Sequence, residues 1–312
     1  MNLPKTLQSG RWRAGQPMAV ARSHFASAVC RGKIYIFGGG GAGFQSLNRV
    51  EIYDPERDTW TAGREMPTTR SGVVAVTLND RIYVMGGGVR EPGGSFRFLT
   101  TVEIYDPSMD RWEKGPDLLM RHDAPAAALL DERIYLVGGH HPDATGGPLT
   151  DPAFAFAERL DPRSGRWEQI PPMPTPRFSL AALAWDGRLL ALGGGAFTGT
   201  AFANFDRVEA YDPSNGAWSP APAISLPWPA AGPAACVFQT RLLLLGGNNG
   251  EAIQRRAASY DPREEKWSDI PPMPEARVTA AALPVGDAVY VIGGRDATGK
   301  QPVGSVFALS TP

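Results

Sequence analysis

Apolar residues in this chain fall in short runs of four or five, and again and again such a run stops at two adjacent glycines. The pairs are Gly38-Gly39, Gly86-Gly87, Gly138-Gly139, Gly193-Gly194, Gly246-Gly247 and Gly293-Gly294, and successive pairs lie 47 to 55 residues apart. Self-similarity at a period near fifty marks a repeat architecture, in which each unit is too small to bury its own apolar face and must stack on its neighbours. Runs such as Leu242 to Leu245 and Ala126 to Leu130 are apolar almost throughout and do not alternate. That pattern predicts short strands buried on both faces. The second repeat then reads as four strands, Gly72 to Leu78, Arg81 to Met85, Thr101 to Tyr105 and Asp110 to Glu113. Asn79-Asp80 and the Asp106-Pro107 turn supply the punctuation.

A second landmark follows each glycine pair: Tyr53-Asp54-Pro55 to Trp60, Tyr105-Asp106-Pro107 to Trp112, Leu160-Asp161-Pro162 to Trp167, Tyr211-Asp212-Pro213 to Trp218, and Tyr260-Asp261-Pro262 to Trp267. The sixth copy is split. The C-terminal SVFALS corresponds to VEIYDP without its turn, and Ser9-Gly10-Arg11-Trp12 corresponds to Ser164-Gly165-Arg166-Trp167. The two ends are therefore expected to complete one unit together, which removes the free strand edges of an open ring. The Trp residues are expected to fill the space between units.

Glycine pair, Tyr-Asp-Pro and Trp at fixed offsets resemble the kelch-repeat family across the chain from Gly10 to Leu309. The resemblance implies an all-β, six-bladed β-propeller with four-stranded antiparallel blades. We expect one propeller over residues 1–312, with repeats at about 22–62, 70–113, 123–169, 177–219, 231–269 and 277–309 plus 9–13. It also implies that the loops after each second strand and the segments leading into each first strand share one funnel-shaped face that binds ligand. By repeat position those residues are Arg22, His24, Arg70, Ser71, Arg121, His122, His140, His141, Arg177, Phe178, Trp228, Asn248, Arg277 and Arg295. The repeated Arg would bias the funnel towards anions, or would satisfy backbone carbonyls between blades. The fifth repeat departs from the pattern, with Leu226-Pro227-Trp228-Pro229 where the others carry Arg.

Composition narrows the function. The formal net charge of −1 argues against nucleic acid or an anionic membrane as partner, and 36 Gly with 29 Pro fit a turn-rich β protein. No run approaches the length of a membrane helix, and MNLPKTLQSGRW lacks the apolar core of a secretory signal. Cys30 and Cys236 both sit in apolar runs, and no Asn-x-Ser/Thr acceptor occurs, so a cytoplasmic protein with two buried thiols is expected.

All four histidines fall on the expected face. With Asp123 and Asp143, His122 and His140 are the candidates for a first-row metal, but neither RHD nor HHPD is a ligand spacing, and no cofactor is expected. Gly38, Gly40 and Gly43 fit G-x-G-x-x-G without the helix that would hold a pyrophosphate. No G-x-S-x-G elbow occurs, and no catalytic residue is assigned. Phe44, Phe96, Phe98, Phe197, Phe202 and Phe205 add apolar bulk to the same loops. The expected function is recognition of a peptide, a protein or a small anionic or glycan-like ligand. Two alternatives stand beside it. One is a kelch-type small-molecule enzyme, epimerase-like or metal-dependent, with acid–base chemistry by His122, His140 or His141 and anchoring by Arg70, Arg121 and Arg177. The other is an oligomer interface built on Phe96 and Phe98.

Overall fold

The computed structural model describes residues 7–140, 153–198 and 201–311. Six four-stranded antiparallel sheets form a ring of blades. Blade 1 comprises Ala26–Cys30, Lys33–Phe37, Val50–Asp54 and Thr59–Gly63, and blade 2 Val74–Leu78, Arg81–Met85, Val102–Asp106 and Arg111–Lys114. Blades 3, 4 and 5 repeat the order, starting at Ala126–Leu130, Ala181–Trp185 and Ala234–Phe238. Blade 6 takes Ala281–Val285, Ala288–Ile292 and Val306–Ser310 from the C-terminal part of the chain and Arg11–Gly15 from the N-terminal part. Its closure runs in register from Arg11 opposite Ser310 to Gly15 opposite Val306. The observed strands of blade 2 lie within two residues of those predicted.

First strands converge on the axis, where most of the lining side chains are small. Ala26, Val74, Ala126, Ala181, Ala234 and Ala281 line a central cavity of about 270 Å³. Six apolar clusters fill the wedges between blades, one at each interface. The repeated Trp residues stand there as expected: each donates its indole N–H to a carbonyl of the neighbouring blade's exit segment. Trp12 reaches Pro271, Trp60 Gln16, Trp112 Arg64, Trp167 Pro116, Trp218 Pro171 and Trp267 Ile224, over 2.8–3.4 Å. A single residue type thus supplies both the wedge and the directional link.

The glycine pairs have a steric origin. Gly87 has φ of +82°, and a Cβ there would lie 2.5 Å from the Ser71 carbonyl oxygen, so the chain leaves the second strand by a path open to glycine alone. The G-x-G-x-x-G of blade 1 is part of this device: it leads through a short 3₁₀ turn, Ala42–Phe44, into the strand Val50–Asp54. Cys30 and Cys236 are buried free thiols, and burial pushes Cys236 up to about 12. Among the described residues no helix is long and apolar enough to cross a membrane.

Candidate functional site

Between the outer strand of one blade and the first strand of the next, the chain makes the same step six times. One residue of the incoming segment forms an antiparallel bridge with the residue just after a glycine pair: Ser23 with Gly40, Ser71 with Gly88, Asp123 with His140, Phe178 with Gly195, Ala231 with Asn248 and Val278 with Arg295. The residue after it turns into left-handed backbone: His24, Gly72, Ala124, Ser179, Gly232 and Thr279 have φ of 49° to 64°. Five backbone hydrogen bonds of 2.7–3.1 Å link these six in a line, from Gly72 N–H on the His24 carbonyl to Thr279 N–H on the Gly232 carbonyl. The result is a backbone collar at the mouth of the central cavity, on which the side chains vary.

Beneath the collar lies a layer of buried charge, and here the structure corrects the expectation. Arg22, Arg70, Arg177 and Arg277 are at most 3% exposed. Arg22 pairs with Glu51, Arg70 with Glu103 at 2.9 Å and Arg177 with Glu209 at 3.1 Å. Arg70 also donates to the carbonyls of Gly86, Thr101 and Val84. Desolvation pulls Arg22, Arg70 and Arg177 down to about 10, with their glutamates opposing it. Each glutamate's other oxygen ties the strap between blades, as Thr68 Oγ on Glu103 and the Ala19 N–H on Glu51 show. These guanidinium groups tie each entry segment to the strands of its own blade and do not line the funnel, so they neither bias it towards anions nor anchor a substrate.

In blade 3 the same place is taken by His122, not Arg121. His122 is fully buried, with Nδ1 2.7 Å from the Gly138 carbonyl and Nε2 3.1 Å from Glu158. Both ring nitrogens are committed, which removes His122 from acid–base chemistry and from any metal site shared with His140. Arg121 is exposed one residue earlier and lies outside the cavities of this face. Blade 5 has lost both partners, with Ala230 and Ala258 at the Arg and Glu positions. Trp228, 4% exposed, donates to the Gly246 carbonyl at 3.1 Å, so it is a buried replacement for the arginine and not a surface contact. Arg277, whose blade carries Phe307 in place of the glutamate, stands 5.7 Å from that ring and bonds Ser305. His141 and Asp143 lie outside the described residues. No group of three metal-ligating side chains occurs among the described residues.

What remains on the face is concentrated over blades 1 to 4. A cavity of about 260 Å³ is walled by the rings of His24, Phe44, Phe96, Phe98, His140 and Phe178, with Ser71, Asp123 and Ser179 supplying polar atoms. The rings interlock: His140 lies 3.8 Å from Phe178 and 6.0 Å from Phe98, His24 5.1 Å from Phe44, and Phe44 5.6 Å from Phe96. Two extra hairpins bring the phenylalanines, Gly88–Arg90 with Phe96–Phe98 in blade 2 and Gly195–Thr198 with Ala201–Asn204 in blade 4, where Phe202 packs on Phe178 at 5.5 Å. His140 Nδ1 is 2.9 Å from Asp123. Arg295 stacks 4.7 Å over Phe44 and donates to Ser23, while Asn248 is half-buried on the blade 5 side. Of the predicted residues, the fold brings together His24, Ser71, His140 and Phe178 in this cavity, with Arg295 at its edge.

Sequence spacing carried a signal for the buried layer. His122 stands 16 residues before Gly138, as Arg22, Arg70, Arg177 and Arg277 stand 16 before their own glycines. Its partner, Glu158 in AERLD, is the second residue of its strand, as Glu51 and Glu103 are in VEIYD.

Six blades, indole links and split-blade closure define a kelch-type six-bladed propeller with one aromatic-walled cavity beside the channel mouth. The chain belongs to the Attractin/LZTR1 β-propeller family, whose family model matches residues 5–256. It is 28% identical over 195 residues to Kelch-like protein 25 of Xenopus tropicalis, covering 62% of this chain and 32% of that protein. It is 29% identical over 197 residues to Kelch-like protein 23 of Homo sapiens, covering 63% and 32%. The matched region thus spans about a third of the length of these curated relatives. The solved structure of YjhT has the same fold, with a TM-score of 0.77 at 18% identity over 93% of this chain and 95% of that one.

Proposed function

We propose that this protein is a recognition propeller that takes a segment of a partner protein on its loop face, with one side chain seated in the aromatic cavity over blades 1 to 4. The observation that carries this reading is the cavity itself. Phe44 and Phe96 stay partly open to solvent and Phe202 is exposed, the last two on hairpins added to the blade plan, a costly arrangement for surface that binds nothing. A volume of about 260 Å³ fits one side chain, and it falls below the ~300–1,000 Å³ of drug-sized ligand sites. The relatives, named as Kelch-like proteins, agree with a binding role. The cytoplasmic address belongs to the same reading, supported by the two free buried thiols.

Selection of a random peptide display library on the intact chain tests the proposal. Selected peptides are expected to lose at least about tenfold in affinity, which is ~1.4 kcal/mol, to Phe96→Ser and to His140→Ala, with the melting temperature of either variant nearly unchanged. Selected peptides indifferent to both substitutions would move the site elsewhere. The enzymatic alternative is favoured by one observation, the His140–Asp123 pair, which has the form of an oriented general base. It calls for turnover of a small hydroxy or keto compound that His140→Ala abolishes, and a screen without such turnover removes it.

A further inference from the structure

The two histidines of the cavity are held in opposite tautomers by the residues behind them. A carboxylate accepts and never donates at neutral pH, so His140 Nδ1, 2.9 Å from Asp123 Oδ2, carries the ring proton. In the neutral imidazole its Nε2 is then a bare acceptor, and no described residue bonds to that nitrogen. Around His24 the polarity runs the other way. Arg295 Nε donates to Ser23 Oγ at 3.2 Å, and Ser23 Oγ is 2.9 Å from His24 Nδ1. Ser23 is fully buried, so its hydroxyl hydrogen needs an acceptor, and among the described residues the one in reach is His24 Nδ1. His24 Nδ1 therefore accepts, and its Nε2 carries the hydrogen. Burial, then Arg295 and His140, push His24 down to about 3, so this donor stays an uncharged ring at physiological pH. Both rings line the one cavity.

Resting on the recognition reading above, we infer that the cavity selects a phenol, the side chain of a tyrosine in the partner protein. Its hydroxyl donates to His140 Nε2 and accepts from His24 Nε2–H, while its ring lies among Phe44, Phe96, Phe98 and Phe178. Other anchors satisfy less of the site. An ammonium group has no lone pair for His24, and a carboxylate or phosphate has no hydrogen for His140. A carboxamide meets both polar demands and leaves the aromatic walls unfilled, and phenylalanine fills the walls and leaves both nitrogens unpaired. Sites built around a ligand hydroxyl reject the analogue lacking it strongly, by up to about 10⁴–10⁵ when fully enclosed. For a cavity open to the face, a discrimination of about tenfold or more is expected.

The test uses the intact, ¹⁵N-labelled wild-type chain, so no variant has to fold. Long-range ¹H–¹⁵N correlation of the histidine rings at pH 7.5 is expected to show His140 protonated at Nδ1 and His24 at Nε2. Titration with p-cresol is expected to shift both Nε2 resonances and to saturate at least tenfold below toluene, p-toluate or benzylamine. Either histidine in the other tautomer, or toluene binding as tightly as p-cresol, overturns the inference. Peptides from the display selection separate it from the broader proposal. Cavity-dependent peptides without an essential tyrosine would sink the phenol and leave recognition standing, whereas peptides indifferent to the cavity would sink both.

Discussion

Arg70 and Glu103 are both almost fully buried, and their charges are worth keeping only together. Truncating Arg70→Ala strands the Glu103 carboxylate with Thr68 as its remaining partner, and should cost about 3–5 kcal/mol in urea unfolding. Replacing both partners, Arg70→Met with Glu103→Leu, should recover part of that loss, because blade 5 already folds with Ala230, Ala258 and the buried Trp228 in the same places. Strictly additive losses would show that the pair is uncoupled. His24 gives a second prediction, on pH. Its folded value, about 3, lies below the ordinary 6.5, so between those values the unfolded chain binds a proton that the folded chain does not. The contribution is complete above pH 6.5 and is lost as pH falls. His24→Asn keeps a residue tolerant of left-handed backbone and should flatten the decline in melting temperature between pH 6.5 and 5. An unchanged slope would assign the decline to other groups. At this scale the residue types were legible in the sequence but their exposure was not. Arg22, Arg70 and Arg177 look like an anion-binding ring until their glutamates, which belong to a strand later in each repeat, are folded against them.

Strands were the most legible elements, because their signals are local: a glycine pair that needs positive φ, an Asp-Pro turn, and a Trp at a set distance. The closing strand, Arg11–Gly15, shows how little local propensity matters once the partner is present. Its sequence, RWRAG, is mostly exposed, yet all five residues pair with Val306–Ser310. Trp12 anchors it, packing on the cluster between blades 5 and 6 and donating to Pro271. Trp12→Ala should cost about 2–4 kcal/mol and release the edge of Val306–Ser310, so that the variant associates at high concentration while the parent does not. Sedimentation beside thermal melting checks both parts; a variant with parental stability would mean that closure is carried by the backbone pairing alone. The hairpins that carry Phe96, Phe98 and Phe202 were readable as long loops rich in aromatics, and their strand pairing was not. Each is only three or four residues per strand and owes its geometry to the blade from which it rises.

Across the whole molecule the backbone is close to sixfold and the chemistry is not. The collar repeats His24, Gly72, Ala124, Ser179, Gly232 and Thr279 at equivalent positions, so the same φ serves six different side chains. The face differs from blade to blade: aromatic and polar groups gather over blades 1 to 4, while Ala231, Val278 and Gly232 stand on the opposite side. A ring whose buried charges are spent within each blade can vary its face without disturbing its frame.

The sequence by itself determined the architecture of this protein, since period, turn chemistry and split-repeat closure each act over a few residues or require only that two ends match. It also determined which face the variable residues occupy, because repeat position sets the end of the blade to which a loop belongs. Tertiary structure alone decided which of those residues meet the solvent. Burial depends on what packs above a side chain, and the glutamates beneath the collar, the indole in blade 5 and the neighbours that fix the tautomers of His24 and His140 come from segments that only the closed ring brings into contact.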